Sequence, residues 1–249
     1  MSAPALIALA HGSRHPRSAR TVREIVATTK RLRPDLKIEV AFLDHVKPDL
    51  DTVVDRLTAK GHTEFVAVPL LLTSAYHGLV DVPLALQQVA STRPEIAIRV
   101  AEVIGTDTAL LTILDERLRD ALKSARVREL DALVLAAAGS SDARANASVS
   151  KLARLWSTQH RLPTSVAFAS AAPPSTGEAV RDWRRQGRRH VAVGSFFIGP
   201  GRSPDRAAEL ALEAGAVAVS APLGAHSELS RLILARYSVG ALQLVEIPA

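Results

Sequence analysis

The side chains of this sequence best suited to metal or proton chemistry stand in two places. His11-Gly12-Ser13 follows the apolar run Leu6–Ala10 (LIALA), and His77 lies in Thr73–Gly78 (TSAYHG), after the run EFVAVPLLL at Glu64–Leu72. Two neutral imidazoles suit a borderline divalent metal such as Fe, Co, Ni or Zn. An imidazole that is not bound to metal accepts or donates a proton near neutral pH. Asp44, closing the stretch Lys37–Leu43 (KIEVAFL), would add a carboxylate ligand or polarise one of the rings. Of the other His, His15 is placed to meet substrate or solvent, and His45 beside Asp44 reads as a minor contributor. His62, His160, His190 and His226 read as structural or solvated.

This chemistry requires both His at one edge of a fold, and the rhythm of the chain predicts that edge. A short apolar run closed by Gly and followed by a helical pattern reads as a strand buried on both faces. The residue leaving such a strand sits at its carboxyl end, where open α/β sheets bind ligands. Gly12 allows a tight turn or a close backbone approach. Ser18 is expected to cap a helix with Val22, Ile25, Val26 and Leu32 on one face, ended by Pro34. Lys37–Leu43 is the second strand, and Leu50, Val53, Val54 and Leu57 mark a helix with Gly61 at its C-terminal left-handed position. Glu64–Leu72 is the third strand, followed by a helix from an N-cap at Asp81 with Pro83 in its first turn. Ile96–Val103 is the fourth, followed by a long helix over Asp107–Lys123. Strands separated by helices imply right-handed crossovers and a parallel sheet covered on both faces. In a flavodoxin-like order, strand one lies beside strand three, so His11 and His77 face one crevice.

After a charged connector, Ser124–Leu130 (SARVREL), the pattern begins again. Leu133–Ser140 (LVLAAAGS) matches Leu6–Ser13 (LIALAHGS) position for position, and Val166-Ala167-Phe168 repeats Val40-Ala41-Phe42. Gly187 matches Gly61, and Val191-Ala192-Val193 repeats Val66-Ala67-Val68. Spacing held this closely indicates two tandem copies of one unit. The expected domains are 1–123, carrying the active site, and 131–249, a degenerate repeat, with the ligand edge of the first facing an interdomain cleft. Ala138 stands where the first copy has His11, Ser170 where it has Asp44, and Arg202 in the loop corresponding to that of His77. The scaffold is repeated and its candidate ligands are not.

Composition excludes several classes of function. The chain has 249 residues, 47% of them hydrophobic and 22% charged, which suits a globular protein with a sizeable core. No apolar run approaches the ~20 residues of a membrane span, and no basic segment precedes the first apolar stretch as in a secretory signal. The absence of Cys removes disulfides and thiolate ligands and fits a cytoplasmic protein. A net charge of +6 suits an anionic partner, while 4% aromatic residues offer no stacking platform for nucleic acid. Neither nucleic acid nor membrane is an expected partner.

LIALAHGSRHPRS, VAFLDHVKPDL and VPLLLTSAYHGLVDVP together resemble the sirohydrochlorin chelatases of the CbiX and SirB type, and the second half resembles the degenerate repeat of the longer bacterial members. The resemblance implies class II chelatase folds in which His11 and His77 bind the incoming metal. It also implies ATP-independent insertion of Fe2+ or Co2+ into sirohydrochlorin, for sirohaem or cobalamin. The metal, including Ni2+ as an alternative, is then a substrate, with no tightly bound cofactor. At Asp44 this chain departs from the family, where Glu is more usual. Sirohydrochlorin is a polycarboxylate, so Ser13, Arg14, Arg17, Tyr76 and Arg202 are the expected substrate-binding residues, with Arg144 a further candidate for charge-assisted bonds. The protein is expected to act as a monomer using its own two repeats. The alternatives are a chelatase for another metal or tetrapyrrole and a non-catalytic metal-binding or delivery protein, which releases its metal only stoichiometrically. A phosphate site at the HGS turn lacks a Gly-rich nucleotide loop.

Overall fold

The computed structural model describes residues 3–73 and 81–244. Strand and helix alternate along the chain: β1 (Ala5–Ala10), α1 (Pro16–Leu32), β2 (Ile38–Phe42), α2 (Leu50–Thr58), β3 (Glu64–Pro69), α3 (Val82–Ser91), β4 (Ala97–Val100) and α4 (Leu110–Ser124). The second half continues with β5 (Ala132–Ala137), α5 (Ala143–His160), β6 (Thr164–Phe168), α6 (Thr176–Arg185), β7 (Val191–Ser195), α7 (Arg202–Glu213), β8 (Ala218–Val219) and α8 (Ser227–Leu242). They form two separate parallel sheets with the same order, β2-β1-β3-β4 and β6-β5-β7-β8. The expected α/β fold, two tandem chelatase-like domains of flavodoxin-like order, is the observed one.

The apolar runs explain the strand order. β1 is buried over its whole length, with Ala8 level with Val40 on one side and Val68 on the other. A strand flanked by neighbours and covered by helices on both faces needs apolar side chains throughout rather than alternation. β5 repeats this, with Leu135 between Val166 and Gly194. The outer strands β4 and β8 are shorter, and β4 is largely exposed.

Several boundaries differ from expectation for local reasons. Ser18 does not cap α1. The helix starts earlier, with His15 at the N-cap and Pro16 in the first turn, where its fixed φ favours helix and its missing N–H costs nothing. Asp81 stands at the N-cap position of α3 with helical dihedrals, and Gly61 takes the expected positive φ of 86°. β3 ends at Pro69 rather than Leu72, and β4 spans fewer residues than Ile96–Val103.

The compact units also depart from the expected boundaries of 1–123 and 131–249. One comprises Met1–Gly105 with Ala225–Ala249, and the other Thr106–Gly224. The last helix of each sequence repeat is thus assigned to the other repeat's sheet. In the first unit, α8 lies so close to β3 that a β-carbon on Gly240 would stand 2.7 Å from Val66 Cγ1. Its Ser230 pairs with Thr29 at 3.1 Å, and the Tyr237 hydroxyl donates to the Pro4 carbonyl at 2.7 Å. In the second unit, Leu114 of α4 is 3.1 Å from a β-carbon built on Gly194, and Asp115 accepts from the buried Trp156 indole N–H at 2.7 Å. An apolar helix face shows that it must be covered, not which sheet covers it.

Candidate functional site

In the first unit, three elements bring their carboxyl ends together around His11. The half-buried His11 leaves β1, and its carbonyl accepts from the Asp44 N–H at 2.9 Å, while the Ala10 carbonyl accepts from Leu43 N–H at 2.9 Å. Gly12 has φ 95°, and a β-carbon there would lie 1.9 Å from the Asp44 carbonyl oxygen. Only glycine permits this backbone-to-backbone contact. On the other flank, Leu70 N–H donates to the Leu9 carbonyl at 2.8 Å, so the chain leaving β3 starts beside the root of the His11 loop. His77 and Tyr76 follow in that chain and lie outside the described residues.

The loop after β2 is tightly organised. Asp44 Oδ1 accepts from the His45 backbone N–H at 2.6 Å and lies 3.2 Å from His45 Nδ1. His45 has φ 62°, and its ring centroid is 6.5 Å from that of His11, edge to face at 71°. Arg23 of α1 braces the loop, donating from Nη2 to the Lys47 carbonyl at 3.0 Å and lying over the Phe42 ring. Asp49 caps α2 by accepting from Thr52 N–H at 3.0 Å and also pairs with Lys47. The Lys47 ammonium and the Thr52 bonds together hold the Asp49 carboxyl well below its usual range. Phe42–Lys47 and Asp49 line a pocket of about 370 Å³.

The remaining expected site residues divide between the two units. Arg14 and Arg17 are exposed in the first unit, one in the His11 loop and the other at the start of α1. Ser13 Oγ accepts from the His15 N–H at 3.1 Å, which shapes the turn into α1. Arg202 opens α7 and Arg144 lies in the first turn of α5; both are exposed and belong to the second unit.

The second unit builds the same loop pair with different side chains. Ser170 N–H donates to the Ala138 carbonyl at 3.0 Å, and a β-carbon on Gly139 would lie 2.1 Å from the Ser170 carbonyl oxygen. Ala171 has φ 63°, as His45 has 62°. Ser140 Oγ accepts from Asp142 N–H at 3.0 Å, as Ser13 does from His15. Backbone and Ser turn are duplicated, whereas His11, Asp44 and His45 are replaced by Ala138, Ser170 and Ala171. Since the Ser bond recurs where no His is present, Ser13 has a structural task independent of any substrate contact. The arrangement of His45 was not legible from spacing, because no periodicity signals a left-handed residue in a loop.

Among the described residues, no group of three or more His, Cys, Asp or Glu is arranged to hold a metal ion, and no helix is long and apolar enough to cross a membrane. The CbiX family model matches residues 5–121 and 132–239. A sirohydrochlorin cobaltochelatase of Priestia megaterium is 26% identical over 191 residues, covering 76% of this chain and 62% of that protein, so the match spans less than two thirds of its length. A sirohydrochlorin ferrochelatase of the same organism is 25% identical over 237 residues, covering 92% of this chain and 87% of the other. Among solved structures, SirB from Bacillus subtilis with Fe3+ superposes with a TM-score of 0.81 at 22% identity, over 96% of both chains, a likeness of fold.

Proposed function

This chain belongs to the CbiX family, and we propose that it is an ATP-independent chelatase that inserts Fe2+ or Co2+ into sirohydrochlorin, a lyase of sirohaem or cobalamin synthesis. The observation that carries the reading is the asymmetry of donors on a duplicated backbone. The first unit keeps His11 and Asp44 at the carboxyl edge of its sheet, where the second has Ala138 and Ser170. Strand order supports the pairing of His11 with His77, because the strand preceding His77 is hydrogen-bonded to β1. The chemical names of the relatives supply the substrate.

Insertion requires the metal to shed water and the macrocycle to lose two pyrrole protons. A His nitrogen bound to the metal has no lone pair for a proton, so ligand and base are different residues or act at different times. His11 and His77 share those roles. Arg14 and Arg17 offer charge-assisted bonds to substrate carboxylates, and Tyr76 and the Ser13 hydroxyl proton complete the set. Ni2+ is a further candidate metal, since imidazoles accept several ions of this series. The enzyme is read as a cytoplasmic monomer with no tightly bound cofactor.

The test is anaerobic turnover of excess sirohydrochlorin with Fe2+, Co2+ and Ni2+ in parallel, followed by the absorption of the macrocycle. Many turnovers per chain, lost in His11→Ala and His77→Ala, are expected. Metal transfer limited to one equivalent per chain would replace this reading with a delivery protein.

A further inference from the structure

We propose that His45 is a metal ligand of this site, acting together with His11, and that Asp44 positions its ring rather than binding the ion. The inference rests on the reading above that the site receives a divalent metal. It starts from the 6.5 Å separation of the His11 and His45 ring centroids. A nitrogen about 2.1 Å from a metal places its ring centroid roughly 3.2 Å from the ion, so two imidazoles on one tetrahedral ion have centroids about 5.3 Å apart. Opposed rings would be about 6.4 Å apart by the same estimate. The observed separation lies just above this range, so a shared ion requires the two rings to move closer by side-chain rotation. The side chain of His45 is 32% exposed and that of Asp44 58%.

The backbone presents His45 in a conformation that the loop imposes. Its φ of 62° is matched by 63° at Ala171 of the second unit, where no imidazole is present. The ring is oriented by Asp44, whose Oδ1 takes the His45 backbone N–H at 2.6 Å and faces Nδ1 at 3.2 Å. A proton on Nδ1, directed at the carboxylate, leaves Nε2 with the lone pair that a metal needs. Carboxylate–imidazole–metal chains of this form raise ligand basicity and set ring direction. The same Oδ1 serves the backbone and ring of the neighbouring residue, which suits a positioning carboxylate.

The experiment titrates the full-length protein anaerobically with Co2+ alone and follows its visible ligand-field absorption, with X-ray absorption of the Co2+ complex to count imidazoles. His45→Asn is the main variant, because Asn tolerates positive φ and is expected to leave the fold unchanged by circular dichroism. It is expected to weaken Co2+ binding by about 100-fold or more and to remove one imidazole from the count. Asp44→Asn keeps an acceptor for the His45 N–H, and is expected to weaken binding roughly 10-fold, within the range for an outer partner, while keeping the wild-type imidazole count. His45→Asn with wild-type affinity and imidazole count would overturn the proposal, as would an Asp44→Asn protein that binds Co2+ no better than His45→Asn, the loss expected of a direct ligand. Wild-type protein that turns over sirohydrochlorin while His45→Asn binds Co2+ unchanged retains the chelatase and removes His45. Wild-type protein without turnover whose Co2+ site depends on His45 does the reverse.

Discussion

The carbonyl oxygen of Asp44 occupies the space that a β-carbon on Gly12 would need, 1.9 Å from its ideal position. The loops after β1 and β2 meet through this contact, and the site has its shape because nothing larger than a hydrogen fits there. In the second unit, Gly139 and Ser170 repeat the contact at 2.1 Å, with Ala138 in place of His11 and Ser170 in place of Asp44.

Gly12→Ala is therefore expected to force the two loops apart. The positive φ alone costs a non-glycine residue about 1–2 kcal/mol, and the overlap with backbone adds to it. Gly139→Ala should destabilise the protein by a similar amount. Only Gly12→Ala should lower metal insertion per folded molecule. Urea unfolding and turnover of both variants check this, and wild-type behaviour of Gly12→Ala in both assays would refute it.

The buried Trp156 is held from two sides in the second unit. Its indole N–H donates to Asp115 Oδ1, which also lies 2.7 Å from His160 Nε2, while Oδ2 accepts from Gln159 at 2.6 Å. A β-carbon on Gly194 would be 2.6 Å from the ring. Asp115→Ala strands a buried donor, at a cost of about 1–3 kcal/mol. Gly194→Ala overpacks a ring that cannot yield, also at about 1–3 kcal/mol. Calorimetry should place both below wild type in Tm. A Gly194→Ala protein of unchanged Tm would mean that the ring has room to move.

Much of this fold was legible because its signals are local and repeated. The unbroken apolar runs Leu6–Ala10 and Leu133–Ala137 mark fully buried strands, and the matched GS dipeptides reveal the duplication. The assignment of α4 and α8 was not legible, since their apolar faces fit either sheet and the choice depends on Trp156, Gly194 and Gly240, far apart in sequence. His11 and Asp44 could be picked out as residues leaving strands. The orientation of His45 could not, because it follows from a left-handed backbone set by the contact between loops.

Acid should weaken the second unit through Asp131. Its carboxylate accepts from the backbone N–H groups of His190 at 2.8 Å and Arg189 at 2.7 Å, tying the start of β5 to the start of β7. The bond from His190 and then that from Arg189 lower its pKa below the usual value. A carboxyl whose folded pKa is depressed contributes its stability above the unfolded value, near 3.9, and loses it as pH falls through the folded value. Asp131→Asn should flatten this part of the acid limb while leaving an acceptor oxygen in place. Urea midpoints measured from about pH 6 to about pH 2 check it, and parallel pH profiles for variant and wild type would remove Asp131 from the account.

Ala171 and His45 hold the same left-handed backbone, and only one has a use for its side chain. The conformation costs each about 1–2 kcal/mol relative to a permissive residue. Glycine would remove that cost but adds unfolded-state entropy of about 0.4–1 kcal/mol. Ala171→Gly should therefore stabilise the protein by roughly 0.5–1 kcal/mol, raising Tm by about 1–4 °C for a chain of this size. His45→Gly relieves the same backbone but forfeits the ring's contact with Asp44, so its gain in Tm should be smaller. Co2+ affinity should fall in His45→Gly and stay at the wild-type value in Ala171→Gly. Differential scanning calorimetry and Co2+ titration of the two variants test the pair together. A destabilised Ala171→Gly would show that the backbone at this position is less strained than its φ of 63° implies.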